Sequence, residues 1–174
     1  MGIYNQLMQQ LDDKGVLFNV ETDTVMTGSG RIIPKKKAII NAKSGETLGI
    51  VSDSYQVVSN ESIFDAFCKQ IEASNIDYAD AEVNVAFAKG GARTLVDFIF
   101  PNEEIVVPGD TSSTHLSITA LNSFDGMTRY LTKAGGMRMK CLNGQILGNI
   151  VGGYSSTHSP NLSVESGAQR VIQM

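Results

Sequence analysis

The sequence predicts an α+β protein, with an antiparallel β-meander sheet and a helix over about 60–74 packed on one face. The helix is indicated by one apolar stripe at i, i+3, i+4 and i+7, formed by Phe64, Phe67, Cys68 and Ile71. The sheet is indicated by apolar and polar residues that alternate over much of 83–132. A chain of 174 residues, 42% of them hydrophobic, can bury the core of one domain over 1–174.

The first third of the chain predicts a helix, a loop and a hairpin in that order. Apolar residues recur every four positions over 3–13, which indicates a helix. Residues 21–34 show little periodicity and contain two glycines and a proline, so we expect a flexible loop there. Short apolar runs at 37–42 and 47–52 flank a glycine-containing connection and predict a hairpin.

The middle of the chain predicts the main helix followed by the meander. Asn60 is expected to cap the helix, because its side chain suits the first free backbone N–H groups. Five to seven strands are expected in all, and those of the meander lie at 83–87, 95–100, 115–124 and 127–132. Asp125-Gly126 predicts a two-residue type I′ turn, in which both central positions take positive φ.

The last third of the chain predicts further helix. Residues 141–150 have one apolar face that is compatible with a helix, although Gly144 and Gly148 weaken the pattern. Another helix is expected from near Ser163, and its pattern is unfinished at Met174. We therefore expect the chain to be truncated within a C-terminal helix.

Charge is distributed unevenly along the chain. The net charge is −4, which argues mildly against a general nucleic-acid coat protein. Segments 24–45 and 126–164, however, contain nine basic residues and no acidic one, while the rest has five basic and all eighteen acidic residues. If both segments fold onto one face, that face would attract phosphates. The candidate nucleic-acid-binding residues are Arg31, Lys35, Lys36, Lys37, Lys43, Arg129, Lys133, Arg138 and Lys140.

A simpler interpretation is that these residues solvate hairpin edges, where lysine prevents pairing with another chain. A regular strand over 127–132 would also point Arg129 and Tyr130 to opposite sides, so both could not face one groove.

Enzyme signals are weak, and we expect no catalytic residues, no cofactor and no metal site. Asp110, Ser112, Ser113 and His115 are close in sequence, but no GxSxG elbow is present. His158 lies in a polar stretch typical of a loop, and the chain has no GxxxxGK[ST] phosphate loop. Numerous carboxylates could hold metal ions for a nuclease, but a solvated acidic face is the simpler interpretation.

Membrane and secretion signals are not found in the sequence. No apolar run approaches 18 residues, and the first residues lack the basic and apolar regions of a secretory signal. Cys68 and Cys141 are the two cysteines and form no CxxC, so we expect reduced thiols. These features predict no membrane partner and a cytoplasmic location.

Several segments resemble a family of phage and plasmid proteins that is classified as a domain of unknown function. The matching pieces are KAIINAKSGETLGIVSDSYQVVSNESIFD, GGAR at 90–93, VPGD at 107–110, NSFDG at 122–126, RMKCLNG at 138–144 and THS around His158. The resemblance covers roughly 35–165 and implies a mobile-element origin without implying an activity.

A second resemblance is to single-strand annealing recombinases. It rests on LGIVSDSYQVVSN at 48–60, followed by a helix that contains Phe64 and then by the meander. The resemblance implies an annealing-protein-like fold, rings or filaments of identical subunits, and a basic groove that holds single strands without nucleotide hydrolysis. Aromatic residues make up only 7% of the chain, with no Trp, whereas base-stacking surfaces usually contain several.

Two function classes stay open. The first is an ATP-independent protein of a phage or plasmid that binds and anneals single-stranded DNA during recombination, as a homo-oligomer. The second is a protein-interaction module of a mobile element that modulates a host defence protein, which the acidic total charge favours.

Overall fold

The computed structural model describes residues 2–105, 114–140 and 145–173. It contains three helices and eight strands within these ranges. In chain order they are α1 (Ile3–Asp13), β1 (Val20–Met26), β2 (Ile32–Asn41), β3 (Thr47–Ser52), α2 (Asn60–Glu72), β4 (Glu82–Ala88), β5 (Arg93–Ile105), β6 (Thr114–Ser123), β7 (Tyr130–Lys140), β8 (Gln145–Ser156) and α3 (Val164–Ile172). None of the helices in the described ranges is long and apolar enough to cross a bilayer.

The strands form two antiparallel sheets. Strands β1, β2 and β3 make a small sheet, and β4 to β8 make a large sheet in sequential order. The predicted combination of helices with an antiparallel meander is confirmed, but the expected single sheet is divided in two. The division falls where α2 separates β3 from β4 along the chain.

The main core lies between the helices and one face of the large sheet. Alternate residues of β5 point into it, so Val96, Phe98 and Phe100 are fully buried. From α2, Phe67 stacks on Phe98 with ring centroids 5.9 Å apart, and Phe64 meets the same ring edge-on at 6.2 Å. Each buried phenylalanine contributes about 1.5–3 kcal/mol by leaving water. The predicted helix on one face of the sheet is thus confirmed.

The start of α2 differs from the prediction in one respect. Ser59 is the N-cap, and its Oγ accepts a hydrogen bond from the Ser62 backbone N–H at 3.1 Å. Asn60 is instead the first helical residue and is completely buried. Serine and asparagine are equally good caps, so the local sequence did not distinguish the two positions.

Two segments expected to be a loop and a helix are strands. Residues 21–34 include most of β1 and the start of β2, which pair from Val20–Asn41 to Thr24–Lys37. The described part of 141–150 belongs to β8, which pairs with β7. In both segments sheet pairing outweighs the local pattern.

The connection between β6 and β7 is longer than the predicted two-residue turn. Asp125 has ordinary negative φ, while Gly126 has φ +70, so this is not a type I′ turn. The Asp125 carboxylate instead accepts hydrogen bonds from Arg93 Nε at 2.9 Å and from Ser123 Oγ at 2.7 Å. Burial alone would raise the pKa of Asp125, but hydrogen bonds from Ser123, the Met127 backbone and Arg93 hold it below its ordinary value.

A buried polar network joins α2, the large sheet and the segment after β8. The Asn122 side-chain nitrogen donates to Asn60 Oδ1 at 2.9 Å and to the Val58 carbonyl at 3.0 Å. His158 Nε2 lies 3.1 Å from Asn122 Oδ1, so this ring nitrogen carries the hydrogen that it donates. The Asn60 side-chain nitrogen donates to the Val16 carbonyl at 3.1 Å and to Thr94 Oγ1 at 3.2 Å. We call Asn60, Thr94, Asn122 and His158 the buried network.

Tyr55 attaches the small sheet to this network. Its ring stacks on His158 with centroids 4.7 Å apart, and its hydroxyl donates to the Ser123 carbonyl at 2.6 Å. The next backbone N–H, that of Gln56, donates to the His158 carbonyl at 2.9 Å. The segment after β3 is therefore fixed to the large sheet at several points.

The small sheet also packs directly on the β6–β7 connection. Ile39 and Val51 share an apolar cluster with Ala92 and Phe124. At Gly49 the two backbones approach so closely that a Cβ would lie 2.5 Å from Asp125 Cα and 2.5 Å from the Phe124 carbonyl oxygen.

We predict that Gly49→Ala destabilises the fold, because the new methyl group meets backbone atoms that cannot move aside cheaply. Overpacking of this kind costs about 1–3 kcal/mol in the free energy of unfolding. Gly28→Ala is the matched control, since a Cβ there meets nothing within 4 Å. Urea unfolding of both variants measures the effect, and equal midpoints for the two would contradict the close approach.

The stability of the protein should also depend on the protonation of His158. Burial lowers the pKa of His158 to about 4, whereas an unfolded histidine titrates near 6.5. The unfolded state therefore binds a proton first, and stability falls as the pH drops from about 6.5 to about 4, by up to about 3 kcal/mol. His158→Gln removes this contribution. We expect a flatter dependence of the urea midpoint on pH in that variant than in the parent protein, and parallel curves would refute the prediction.

Candidate nucleic-acid interface

The far end of the β1–β2 hairpin is exposed to solvent along most of its length. Strand β3 pairs with β2 only as far as Lys36, which faces Ser52. Beyond that pair the hairpin is a two-stranded ribbon over residues 25–35, which we call the arm. Every residue of the arm is exposed except Val25, which is half-buried. Side chains on both faces of the ribbon are therefore in solvent, and the arm projects from the body of the protein.

The end of the arm is an ordered turn. The Thr27 backbone N–H donates to the Arg31 carbonyl at 2.8 Å, and Gly30 N–H donates to the Thr27 carbonyl at 2.9 Å. Thr27 Oγ1 accepts a further bond from the Arg31 N–H at 3.1 Å. Gly30 has φ +80, a conformation that glycine adopts without strain.

A bulge lies at the base of the arm. The register changes between the Thr24–Lys37 pair and the Met26–Ile32 pair, so one residue of β1 faces four of β2. The bulged residues are 33–36. They include Pro34, which has no N–H to donate, and Lys35, which has φ +58. The backbone of this stretch is thus turned out of the regular ladder.

Four of the candidate basic residues lie on the arm or at its base. Arg31, Lys35 and Lys36 are exposed. Lys37 is half-buried, and its Nζ donates to the Asp53 carbonyl at 3.0 Å. Both Lys36 and Lys37 line a polar cleft of about 250 Å³, which also contains Asp23 and Asp53. These four cations therefore lie within residues 31–37 around the start of β2, and Asp23 and Asp53 share the cleft with Lys36 and Lys37.

The other candidates of the first and second basic segments are dispersed. Lys43 is in the β2–β3 turn, at the opposite end of the hairpin, about 17 Å or more from Lys36 at 3.3 Å per strand residue. Arg129 is exposed in the β6–β7 connection. Lys133 is half-buried on the large sheet. Arg138 and Lys140 belong to the far end of β7, and their side chains lie outside the described residues.

The two basic segments are linked indirectly through β3, which belongs to neither of them. Val51, the cross-strand partner of Lys37, would lie 3.2 Å from a Cβ at Gly126, three residues before Arg129. Lys133 is further away, in a row with Thr119 and Asp97 on the sheet face that the helices leave open. Thr119 Oγ1 donates to the Asp97 carboxylate. Thr119 lies between the two charged residues, so Asp97 is two strands away from Lys133 on the same sheet face.

His115 and His158, the two described residues among those considered for catalysis, lie in different parts of the fold. Asp110, Ser112 and Ser113 lie outside the described residues, and His115 sits in the β5–β6 ladder, opposite Glu104. His158 is part of the buried network. In the described ranges no three His, Cys, Asp or Glu side chains come close enough to hold a metal ion. Cys68 is buried in the core, where burial raises the pKa of its thiol to about 12, and Cys141 lies outside the described residues.

Sequence reasoning missed the apolar side chains of the arm. Met26 is 56% exposed, Ile32 is 64% exposed and Ile33 is 36% exposed. Met26 and Ile32 face each other directly across the two strands. The available signal was their near-symmetric position on either side of the Thr27–Gly30 turn, but it becomes visible only once 21–34 is seen as a hairpin.

Four of the six segments that carry the family resemblance converge in the structure. Tyr55, Asn60, Arg93, the Asn122–Gly126 stretch and His158 form the buried network and the contacts next to it. They hold the two sheets and α2 together, so their shared role here is structural.

A protein-family model matches most of the chain. The family model described as "Domain of unknown function (DUF932)" matches residues 47–173, from the first residue of β3 to the end of α3. The arm precedes the matched part. No curated protein and no solved structure matches the chain. Because the match covers well over half of the 174 residues, the chain belongs to the DUF932 family.

Proposed function

We propose that the protein binds single-stranded nucleic acid through the arm, without nucleotide hydrolysis. The observation that carries the proposal is the group of Arg31, Lys35 and Lys36, three exposed cations on or beside a projecting ribbon. The segment 24–45 that contains them has no acidic residue. Cations on a projecting element reach phosphates that the acidic body of the protein would repel.

The arm suits a flexible strand better than a deep groove would. A ribbon exposed on both faces can contact a backbone from either side, and single strands adapt their path to such a surface. The three cations would neutralise phosphates and release counterions, which makes affinity depend steeply on salt and little on sequence. A binding protein of this kind, encoded by a phage or plasmid, would act in annealing or recombination.

Annealing further requires that two strands meet, and we propose that a homo-oligomer provides this. The outer edges of β1 and β3 pair with no strand in the described part of the chain. Unpaired edges offer N–H and C=O groups to another copy. A ring or filament joined through such edges would carry several arms along one side.

We predict that the triple variant Arg31→Gln, Lys35→Gln and Lys36→Gln loses most of its affinity for oligo-dT. Three lost phosphate contacts should reduce the slope of log K against log salt by about 2, at roughly 0.7 per contact on single strands. Fluorescence anisotropy at several salt concentrations measures both quantities.

The matched control replaces the exposed Lys14, Lys43 and Lys89 by Gln, which removes the same charge away from the arm. It should keep nearly the parent slope. Equal losses in both triple variants would indicate an unspecific charge effect, and absence of binding by the parent protein at low salt would refute the proposal.

A protein-interaction role is the second candidate, favoured by one observation. Ile50 is 55% exposed on β3, where it faces Ala38 across the strands. An apolar residue there would suit a protein partner. Under this alternative, the arm variants would bind a partner protein as the parent does, and oligo-dT would not bind.

A further inference from the structure

We propose that Met26 and Ile32 form an apolar wedge that packs against unstacked bases while the neighbouring cations hold the phosphates. The inference rests on the proposed function and deepens it. It names the recognised chemistry as nucleic acid whose base faces are accessible, rather than the phosphate backbone alone.

Both side chains of the pair are exposed to solvent. The two side chains are 56% and 64% exposed although they are among the most apolar types. They face each other across the ribbon, so they form one continuous apolar surface rather than two isolated contacts. Neither belongs to the two apolar clusters of the described structure. The surface therefore has no partner within the described part of the chain.

Two basic residues lie close to the pair in the sequence. Arg31 directly precedes Ile32 and takes part in the turn through its backbone, which leaves the guanidinium free of that role. Lys35 stands in the bulge three residues after Ile32, and no acidic side chain occurs in 24–45. An apolar surface flanked by cations complements a ligand that carries flat apolar rings on an anionic backbone, which is the composition of a nucleic acid.

The arm contains no aromatic residue. Segment 24–45 contains no Phe, Tyr or Trp, so the arm has no ring on which a base could stack. Aliphatic side chains act on bases in another way, because Ile, Met and Pro can enter between neighbouring bases and separate them. The low aromatic content of the chain, which argued against a stacking surface, is compatible with such a wedge.

Hydrogen bonds of the adjacent turn hold the backbone next to the pair in place. The wedge pair closes the ladder next to the Thr27–Gly30 turn, where three hydrogen bonds fix the backbone. A side chain that separates bases must be held against the force that restacks them. A turn with its own hydrogen bonds provides this better than an irregular loop would.

The test uses an oligo-dA strand that contains one 2-aminopurine, whose fluorescence rises when it leaves the stack. The parent protein should bind and brighten the probe. The double variant Met26→Ser and Ile32→Ser should still bind at low salt, within about threefold by anisotropy, because its cations are intact. Its fluorescence increase should fall by about fivefold or more. The control Met127→Ser changes a methionine that is 70% exposed in the β6–β7 connection and should behave as the parent.

Each other outcome has a defined meaning. A parent-like increase in the double variant would overturn the wedge while leaving phosphate binding in place. Absence of anisotropy binding by the parent would refute the proposed function itself. Binding to phosphatidylserine vesicles but not to the oligonucleotide, lost in the double variant, would assign the surface to a membrane and overturn the inference. Met26→Leu with Ile32→Val should restore the fluorescence increase, which separates loss of the wedge from loss of folding.

Discussion

The architecture depends on one buried amide group, that of Asn122. Its nitrogen and oxygen together bind the loop before α2, the first residue of α2 and the histidine after β8. Through Asn60 the same network reaches the α1–β1 connection and β5. Leaving any one of these groups unpaired would cost about 1–3 kcal/mol, since water cannot replace the partner. A few polar atoms thus fix α2, the large sheet, the α1–β1 connection and the segment after β8 relative to one another, which apolar packing alone specifies poorly.

This construction explains how the arm can be exposed without loosening the fold. Outside the arm, the small sheet is held in place by Tyr55, by the close approach at Gly49 and by the apolar cluster around Phe124. The arm makes none of these contacts, so its side chains are available to contact a ligand. Of the net charge of −4, the arm contributes +2 through Arg31 and Lys35, and the rest of the chain contributes −6. A total charge therefore says little about what an individual projection attracts.

The sequence pattern predicted those elements whose local signal agrees with their packing. The stripe of α2, the helix α1 and the β2–β3 hairpin have the periods that their burial requires. The arm and β8 were mistaken because their residues are selected by pairing partners far along the chain, which no local window contains. Of the candidate cations, Arg31 and Lys35 to Lys37 stay around the start of β2 because they are close in sequence, and their role in binding stays a prediction. Lys43 and Lys133 lie elsewhere because strands carry adjacent segments apart.

The bulge at the base of the arm has a consequence for how this protein can change over evolutionary time. Below the bulge, register is fixed from both sides by β1 and β3, whereas above it only the two ribbon strands constrain each other. Insertions or deletions in residues 25–35 would therefore alter the reach and chemistry of the projection without shifting the pairs that hold the sheet. The fold separates a conservative scaffold from a segment whose length and composition can vary, so chains with the same body could acquire different ligands.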